Sequence, residues 1–251
     1  MPPLQVHLFR TLEILTKDGS AIDLGSPTAR SLFAYLVLRH SQNVDRRRLA
    51  FLFWPHGTES MARRNLRQYL HRLRRALEPI DPDGQLILAE ANVVRFSPPT
   101  DWWLDVVAFE GACSPPDENL PQAVELYTGD LLEEVYEDWV VPERERLARL
   151  YRQCLLRLIG QCETTGQFPR AIAYAKRYLA LDPLLENAHL RLMRLYYAAG
   201  NRARVKQQFD QLSALLQEEL GIEPLPEIAA AYQAMLAGEY ESAATPAPET
   251  A

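Results

Sequence analysis

The sequence predicts a mainly α protein in two parts: an α+β module over residues 1–97, then an all-α run of helical repeats over 101–240. Three observations carry this. Short alternating apolar bursts, the mark of half-buried strands, occur near the start and again at 86–96, while three- and four-residue periodicity dominates elsewhere. Ser97-Pro98-Pro99-Thr100 interrupts the chain between the two regimes. Two turn glycines, Gly166 and Gly200, stand 34 residues apart, the length of a two-helix repeat.

From Leu4 to Leu24 the bursts LQVHLF, LEIL and AIDL, with a turn at Lys17-Asp18-Gly19, predict three or four short antiparallel strands. Ser26-Pro27 then opens a helix, serine capping and proline at the first helical position. Its buried face is Ala29, Leu32, Phe33, Leu36 and Val37, and it stops near His40 to Asn43. Asp45 caps a second, short helix that ends before Pro55 and buries Leu49, Leu52 and Phe53. That helix begins Arg46-Arg47-Arg48, the wrong sign for the positive end of a helix dipole. A bound phosphate would repair the conflict; a solvated basic turn would account for it equally well.

After Pro55-His56-Gly57, Thr58 or Ser60 caps a third helix running to Leu77. Ala62, Leu66, Tyr69, Leu70, Leu73 and Leu77 form one apolar stripe, and Arg64, Gln68, His71 and Arg75 project from the opposite face. Arg67 and Arg72 flank that face; Arg63 and Arg74 lie nearer the stripe. Residues 60–77 hold six arginines and no carboxylate. Such a helix forgoes i,i+4 pairing and accepts repulsion along its length. A polyanionic partner explains this; acidic residues from elsewhere in the fold are the alternative. Leu86-Ile87-Leu88 and Val93 to Phe96, joined at Glu90-Ala91-Asn92, form a last hairpin. Strands, three helices and a hairpin, in that order, predict a winged helix-turn-helix. The third helix would read DNA and the hairpin would be the wing. Asn92 and Arg95 would touch backbone or minor groove, unless Arg95 only solvates a strand.

Beyond residue 100 the strong signals are helical: Val106 to Ala112, Asn119 to Tyr127 and Pro142 to Thr164. The turns at Gly166-Gln167-Phe168 and Gly200-Asn201-Arg202 are each followed, five residues after the glycine, by a small or β-branched apolar residue, Ala171 or Val205. This is a tetratricopeptide-like (TPR-like) pattern, whose stacking makes a concave interaction surface. Trp102, Trp103, Tyr136 and Trp139 read as packing between helices rather than a ligand cage. Residues 241–251, Pro- and Ala-rich, read as a linker or disordered tail.

Net charge is −6 over 251 residues, which by itself argues against a nucleic-acid partner. Divided, residues 1–100 carry 14 Lys+Arg against 9 Asp+Glu, and the remainder 13 against 24. A basic module is therefore joined to an acidic one. Cys154 and Cys162, about 12 Å apart on one helix, are too distant for a disulfide. With Cys113 they fit a reducing cytoplasm. The N-terminus lacks a signal-peptide pattern, and no apolar run approaches the length that spans a bilayer. A cytoplasmic chain with no membrane partner is expected. No phosphate-binding glycine loop, GxSxG or HExxH motif, or CxxC pair is present, and the five histidines lack metal-ligand spacing. Glu133-Glu134 and Asp117-Glu118 read as solvated surface. Neither an enzyme, a cofactor nor a metal is expected.

NLRQYLHRLRRAL, Asn65 to Leu77, resembles the recognition helix of OmpR/PhoB-type winged helices. VVAFEGAC and the landmarks at Leu126–Leu132 (LYTGDLL), Trp139–Leu147 and Glu219–Ile228 (ELGIEPLPEI) resemble the bacterial transcriptional activation domain (BTAD). From Leu4 to about Ala237 the combination resembles the SARP-type activators. The resemblance implies a sequence-specific activator that binds double-stranded promoter repeats and contacts RNA polymerase. Carried over, base-edge readers would be Arg64, Arg67, Gln68, His71 and Arg72. Arg63, Arg74 and Arg75, with Arg46 and Arg47 at the start of the second helix, would hold phosphates. The acidic helical part would serve homodimerisation and polymerase contact. Two departures stand out: Ala91-Asn92 lacks the glycine common at the wing tip, and with no receiver domain ahead, control by phosphorylation is not expected. A protein-only helical-repeat adaptor, or the N-terminal piece of a larger ATPase regulator, are the alternatives.

Overall fold

The computed structural model describes residues 2–40, 42–116 and 118–240. The expected tail at 241–251 and Asp117 of the Asp117-Glu118 pair lie outside the described residues. The chain divides into two compact units, Met1–Tyr151 and Arg152–Ala251. The expected break at Ser97–Thr100 thus falls inside the first unit.

The reason is the first unit's N-terminal sheet. β1 (Leu4–His7) pairs antiparallel with β2 (Glu13–Thr16), and on its other side runs β6 (Trp102–Leu104), parallel, with Leu4 opposite Trp102 and Val6 opposite Leu104. Of the three or four short antiparallel strands expected over residues 4–24, two form and pair antiparallel; the third strand of the sheet comes from residues 102–104 and runs parallel. Ala21 makes only an isolated bridge to Leu15, and the Asp23 carboxylate accepts the Gly25 N–H at 2.8 Å, turning the chain away. Trp102 and Trp103 lie on this strand, against Phe96 and His7 respectively, rather than between helices.

α4 (Asp105–Cys113) follows at once. Asp105, 3% exposed, accepts the Leu8 N–H at 2.7 Å and the Phe9 N–H at 2.9 Å, both beyond the end of β1, and its own neighbour Val106 N–H. Burial pushes this carboxyl above its usual range, while the three N–H donors pull the other way. After α5 (Leu120–Leu126), capped by Asn119, the chain returns to the same place. Arg10 N–H donates to Asp130 C=O, Leu132 N–H to Leu8 C=O and Glu133 N–H to Arg10 C=O. Gly129 is needed here because a Cβ would meet Arg10 Cγ at 2.5 Å. Glu134, expected as plain surface, accepts the Leu12 N–H and pairs with Arg30 at 2.9 Å.

α1 (Pro27–Leu38), capped by Ser26, lies across this seam. The expected stripe is buried, but so are Ser31, Ala34 and Tyr35, because helices and hairpin cover one side and Trp139 the other. Trp139 Nε1–H donates to Ser31 Oγ at 3.2 Å and its ring meets Tyr35 edge-on. Trp139 precedes α6 (Val141–Thr164), whose Arg144 donates to the carbonyls of Leu131, Leu132 and Val135. Tyr136, by contrast, is 89% exposed and packs between nothing. It sits on the turn between these anchored residues.

The remainder of the first unit is β3 (Val44–Asp45), α2 (Arg46–Phe53), α3 (Glu59–Leu77), and the hairpin β4 (Ile87–Ala89) and β5 (Val93–Phe96), in a second sheet of order β3-β5-β4. α2 ends before Pro55 as expected, yet Leu52 is exposed. Leu49 is buried as expected and Phe53 half-buried; in so short a helix the register turns Ala50 inward in place of Leu52.

The second unit is helical: the end of α6, α7 (Phe168–Leu181), α8 (Glu186–Ala198), α9 (Arg202–Glu219) and α10 (Pro226–Ala237). Gly166 and Gly200 both take positive φ, and around each the same two hydrogen bonds close the preceding helix. Gly166 N–H goes to Glu163 C=O and Gln167 N–H to Cys162 C=O; Gly200 N–H goes to Tyr197 C=O and Asn201 N–H to Tyr196 C=O. Ala171 and Val205, at matching positions, are both fully buried. The 34-residue spacing therefore corresponds to equivalent turns. His189, buried on α8, is 2.9 Å from Pro183 C=O through Nε2 and 2.7 Å from the Gln208 amide nitrogen through Nδ1. Since that amide nitrogen only donates, Nδ1 accepts and Nε2 carries the proton in the neutral ring. Burial pushes its pKa down.

Two outcomes follow from these anchors. Asp105→Ala leaves buried N–H groups without an acceptor and should lower the first unit's stability by roughly 2–4 kcal/mol. All four tryptophans lie in that unit, so their fluorescence in a urea titration reads it selectively. His189 binds its proton less readily folded than unfolded, so its contribution is fully present above the ordinary imidazole value and is lost progressively as pH falls from there through the lower folded value. The opening free energy of amides in α8 and α9, taken from hydrogen exchange after division by the intrinsic rate at each pH, should fall as pH drops below about 6.5, and His189→Gln should flatten that dependence.

Candidate nucleic-acid interface

α3 carries the site. Its buried residues are Ala62, Leu66, Leu70, Leu73 and Leu77, with Tyr69 half-buried against Trp54. Thr58 caps it by accepting the Met61 N–H. With the stripe held inward, Arg63, Arg64, Arg67, Gln68, His71, Arg72 and Arg75 are all exposed. Among the described residues, Arg64, Arg67, Arg72 and Arg75 make no ion pair. The Arg72 guanidinium sits 5.1 Å from the Tyr69 ring centre.

The ten arginine, glutamine and histidine candidates fall into three groups. Arg64, Arg67, Gln68 and His71, together with Arg46 and Arg74, line one open concavity of about 660 Å³. Arg72 and Arg75 lie outside it, Arg75 further along the helix beside His71. Arg74 is half-buried, donating through Nε and Nη2 to Ile87 C=O at 3.0 and 2.7 Å. Arg46 donates its backbone N–H to Asn92 C=O and its Nη1 to Glu90 C=O. These two arginines fasten the hairpin to α3 and to the start of α2. Burial, then the charges of Arg67 and Arg74, push the Arg46 pKa below its usual value, which marks concentrated positive charge.

The third group is Arg47 and Arg63, both ion-paired to Glu59. α3 begins at Glu59, one residue before the carboxylate-free stretch, so the sequence reading missed this group; its place before Ser60 in the first turn was the available signal. The expected Asp45 cap of α2 forms. Its carboxylate accepts the Arg48 N–H at 2.7 Å, so a negative group already occupies the α2 N-terminus. At the hairpin, Asn92 and Arg95 are exposed, Asn92 beside Arg46, Arg47, Arg63 and Arg67 in a smaller cleft. No helix among the described residues is long and apolar enough to cross a membrane.

Comparison with known proteins places this surface in context. A model of the bacterial transcriptional activator domain matches residues 109–236. The chain belongs to that family. Its BTAD segment starts within α4, so it contributes to both compact units. Relatives matched over most of this chain are SARP-type regulators. The regulatory protein AfsR of Streptomyces coelicolor is 27% identical, over 84% of this chain and 22% of its own length. The transcriptional regulatory protein MoaR1 of Mycobacterium tuberculosis is 26% identical, over 93% of this chain and 79% of its own. This chain thus spans about a fifth of AfsR but most of MoaR1. The solved structure of Mycobacterium tuberculosis EmbR in complex with a low-affinity phosphopeptide superposes with a TM-score of 0.70 at 20% identity, covering 96% of this chain and 67% of that one. That likeness shows a shared fold, mainly helical with small sheets. The relatives named here are regulators of transcription by their names.

Because Arg74 fastens the hairpin, Arg74→Ala should cost about 1.5–3 kcal/mol and accelerate amide exchange in β4 and β5. Arg64→Ala, on the exposed face, should stay within about 0.5 kcal/mol of wild type. Thermal unfolding and exchange on the three proteins check both.

Proposed function

We propose that the chain is a sequence-specific DNA-binding transcriptional activator acting in the cytoplasm. Residues 1–97 work as a winged helix-turn-helix, and 101–240 as a TPR-like domain for homodimerisation and RNA polymerase contact. The observation that carries this reading is the unpaired cationic face of α3, with Arg64, Arg67, Arg72 and Arg75 exposed on a helix whose other side is core.

α3 would lie in the major groove. Arg64, Arg67, Gln68, His71 and Arg72 are the base-edge group, with bidentate arginine–guanine contacts giving ~1–3 kcal/mol of discrimination each. Arg75 and the remaining N–H groups of Arg46 would take phosphates. Arg74 would hold the wing in place, bringing Asn92 and Arg95 to the flanking backbone. Family membership supports the regulatory role. The geometry supports the assignment of faces, since the fold uses the apolar stripe and leaves the arginines available.

Anisotropy titration with the DNA upstream of the protein's own gene tests the reading. Binding should be specific and weaken steeply with salt. Arg75→Ala should reduce the magnitude of the log–log slope by about 0.9 on any sequence. Arg67→Ala should cost about 1–3 kcal/mol on the cognate site and relax preference at one base pair. Affinity that is flat with salt, or equal for cognate and scrambled duplexes, would rule the reading out.

A further inference from the structure

Glu59 is the one carboxylate on α3, and its two oxygens are shared between arginines from different helices. Oε1 meets Arg63 Nη2 at 2.5 Å, one turn along α3, and Oε2 meets Arg47 Nη2 at 3.3 Å, from the first turn of α2. The fold has little need of these contacts. Both arginine side chains remain more than half exposed, at 55% and 64%, and exposed ion pairs contribute little to stability. In the first turn of α3 the carboxylate is already favourably placed by the helix dipole. The pairing acts instead on the site's charge. Arg47 and Arg63 border the smaller cleft between α2, α3 and the hairpin, where Arg46, Arg67 and Asn92 also converge. Without Glu59, this edge of the reading surface would hold four arginines within one cleft, opposed there only by Asp45 and Glu90.

Sequence-independent attraction to DNA scales with the number of phosphates a protein neutralises. Specificity is the difference between that background and the cognate complex. A non-cognate complex, not held in register by base contacts, can recruit any free cation at the edge of the face. Two cations already occupied by a carboxylate are withheld from it.

We propose that Glu59 is a specificity-determining residue: it withholds Arg47 and Arg63 from DNA phosphates and so limits binding to non-cognate duplex. This rests on the DNA-binding reading above and reassigns those two arginines from phosphate contacts to a charge-neutralised border.

The test is a salt titration of wild type and Glu59→Gln on cognate and scrambled duplexes. On scrambled DNA the variant's slope should steepen by about 0.9 per freed arginine, and its cognate-to-scrambled ratio should fall several-fold. In an Arg47→Gln/Arg63→Gln background the same change should leave the slope unmoved. Circular dichroism and thermal midpoint confirm that each variant is folded. A wild-type protein without salt-dependent DNA binding sinks both this inference and the reading beneath it. Steep, specific wild-type binding with an unchanged scrambled-DNA slope in Glu59→Gln sinks the role of Glu59 alone. A slope change that persists in the double-arginine background also sinks it, because the carboxylate would then act through its general field.

Discussion

The Asp105 carboxylate, accepting the backbone N–H groups of Leu8 and Phe9, sits where the rest of the first unit converges. A chain leaving a sheet edge exposes N–H groups that must be satisfied if they are buried. Here one side chain at the start of α4 satisfies two of them. Residues 130–133 then complete the pairing through Leu8 and Arg10. The family landmarks acquire physical roles from this. Gly129 makes room for Arg10, Trp139 bonds Ser31, and Arg144 gathers the carbonyls of the turn between them. Residues recognisable as belonging to an activation domain are therefore part of the packing that holds the N-terminal module together.

That arrangement also bears on charge. Residues 101–151 hold 13 Asp+Glu against 3 arginines, the most acidic stretch of the chain. Had it folded over α3, the basic face would have been neutralised internally. Its anchors instead lie on β1, on the 8–12 segment and on the Ser31–Tyr35 side of α1. α3 packs against α1 and keeps its own polar face exposed. Among the described residues, no ion pair joins 101–151 to an arginine of α3, so the exposed arginines of that helix are not neutralised by the acidic stretch of the same unit.

Within that face, arginines of similar appearance in the sequence do different things. Arg74 and Arg46 are struts to the hairpin, Arg47 and Arg63 are paired to Glu59, and Arg64, Arg67, Arg72 and Arg75 remain available. A guanidinium has five donors in a fixed fork, so it can brace backbone carbonyls as readily as bind an anion. Which it does depends on the atoms within reach.

The sequence by itself determined what is local. The α3 stripe and the Ser26 and Asp45 caps follow from spacing of three to five residues, within reach of one helical turn, and the paired turns at Gly166 and Gly200 from their 34-residue repeat. Tertiary structure alone decided the rest. It added Trp102–Leu104 to β1 as a parallel strand, buried α1 nearly all round, turned Leu52 outward and Tyr136 into solvent, and extended the first unit past Pro98-Pro99. It also sorted the arginines, through Ile87, Glu90 and Glu59. Each of these depends on a partner distant in the chain or on the register of a short helix, and neither leaves a periodic mark in the sequence.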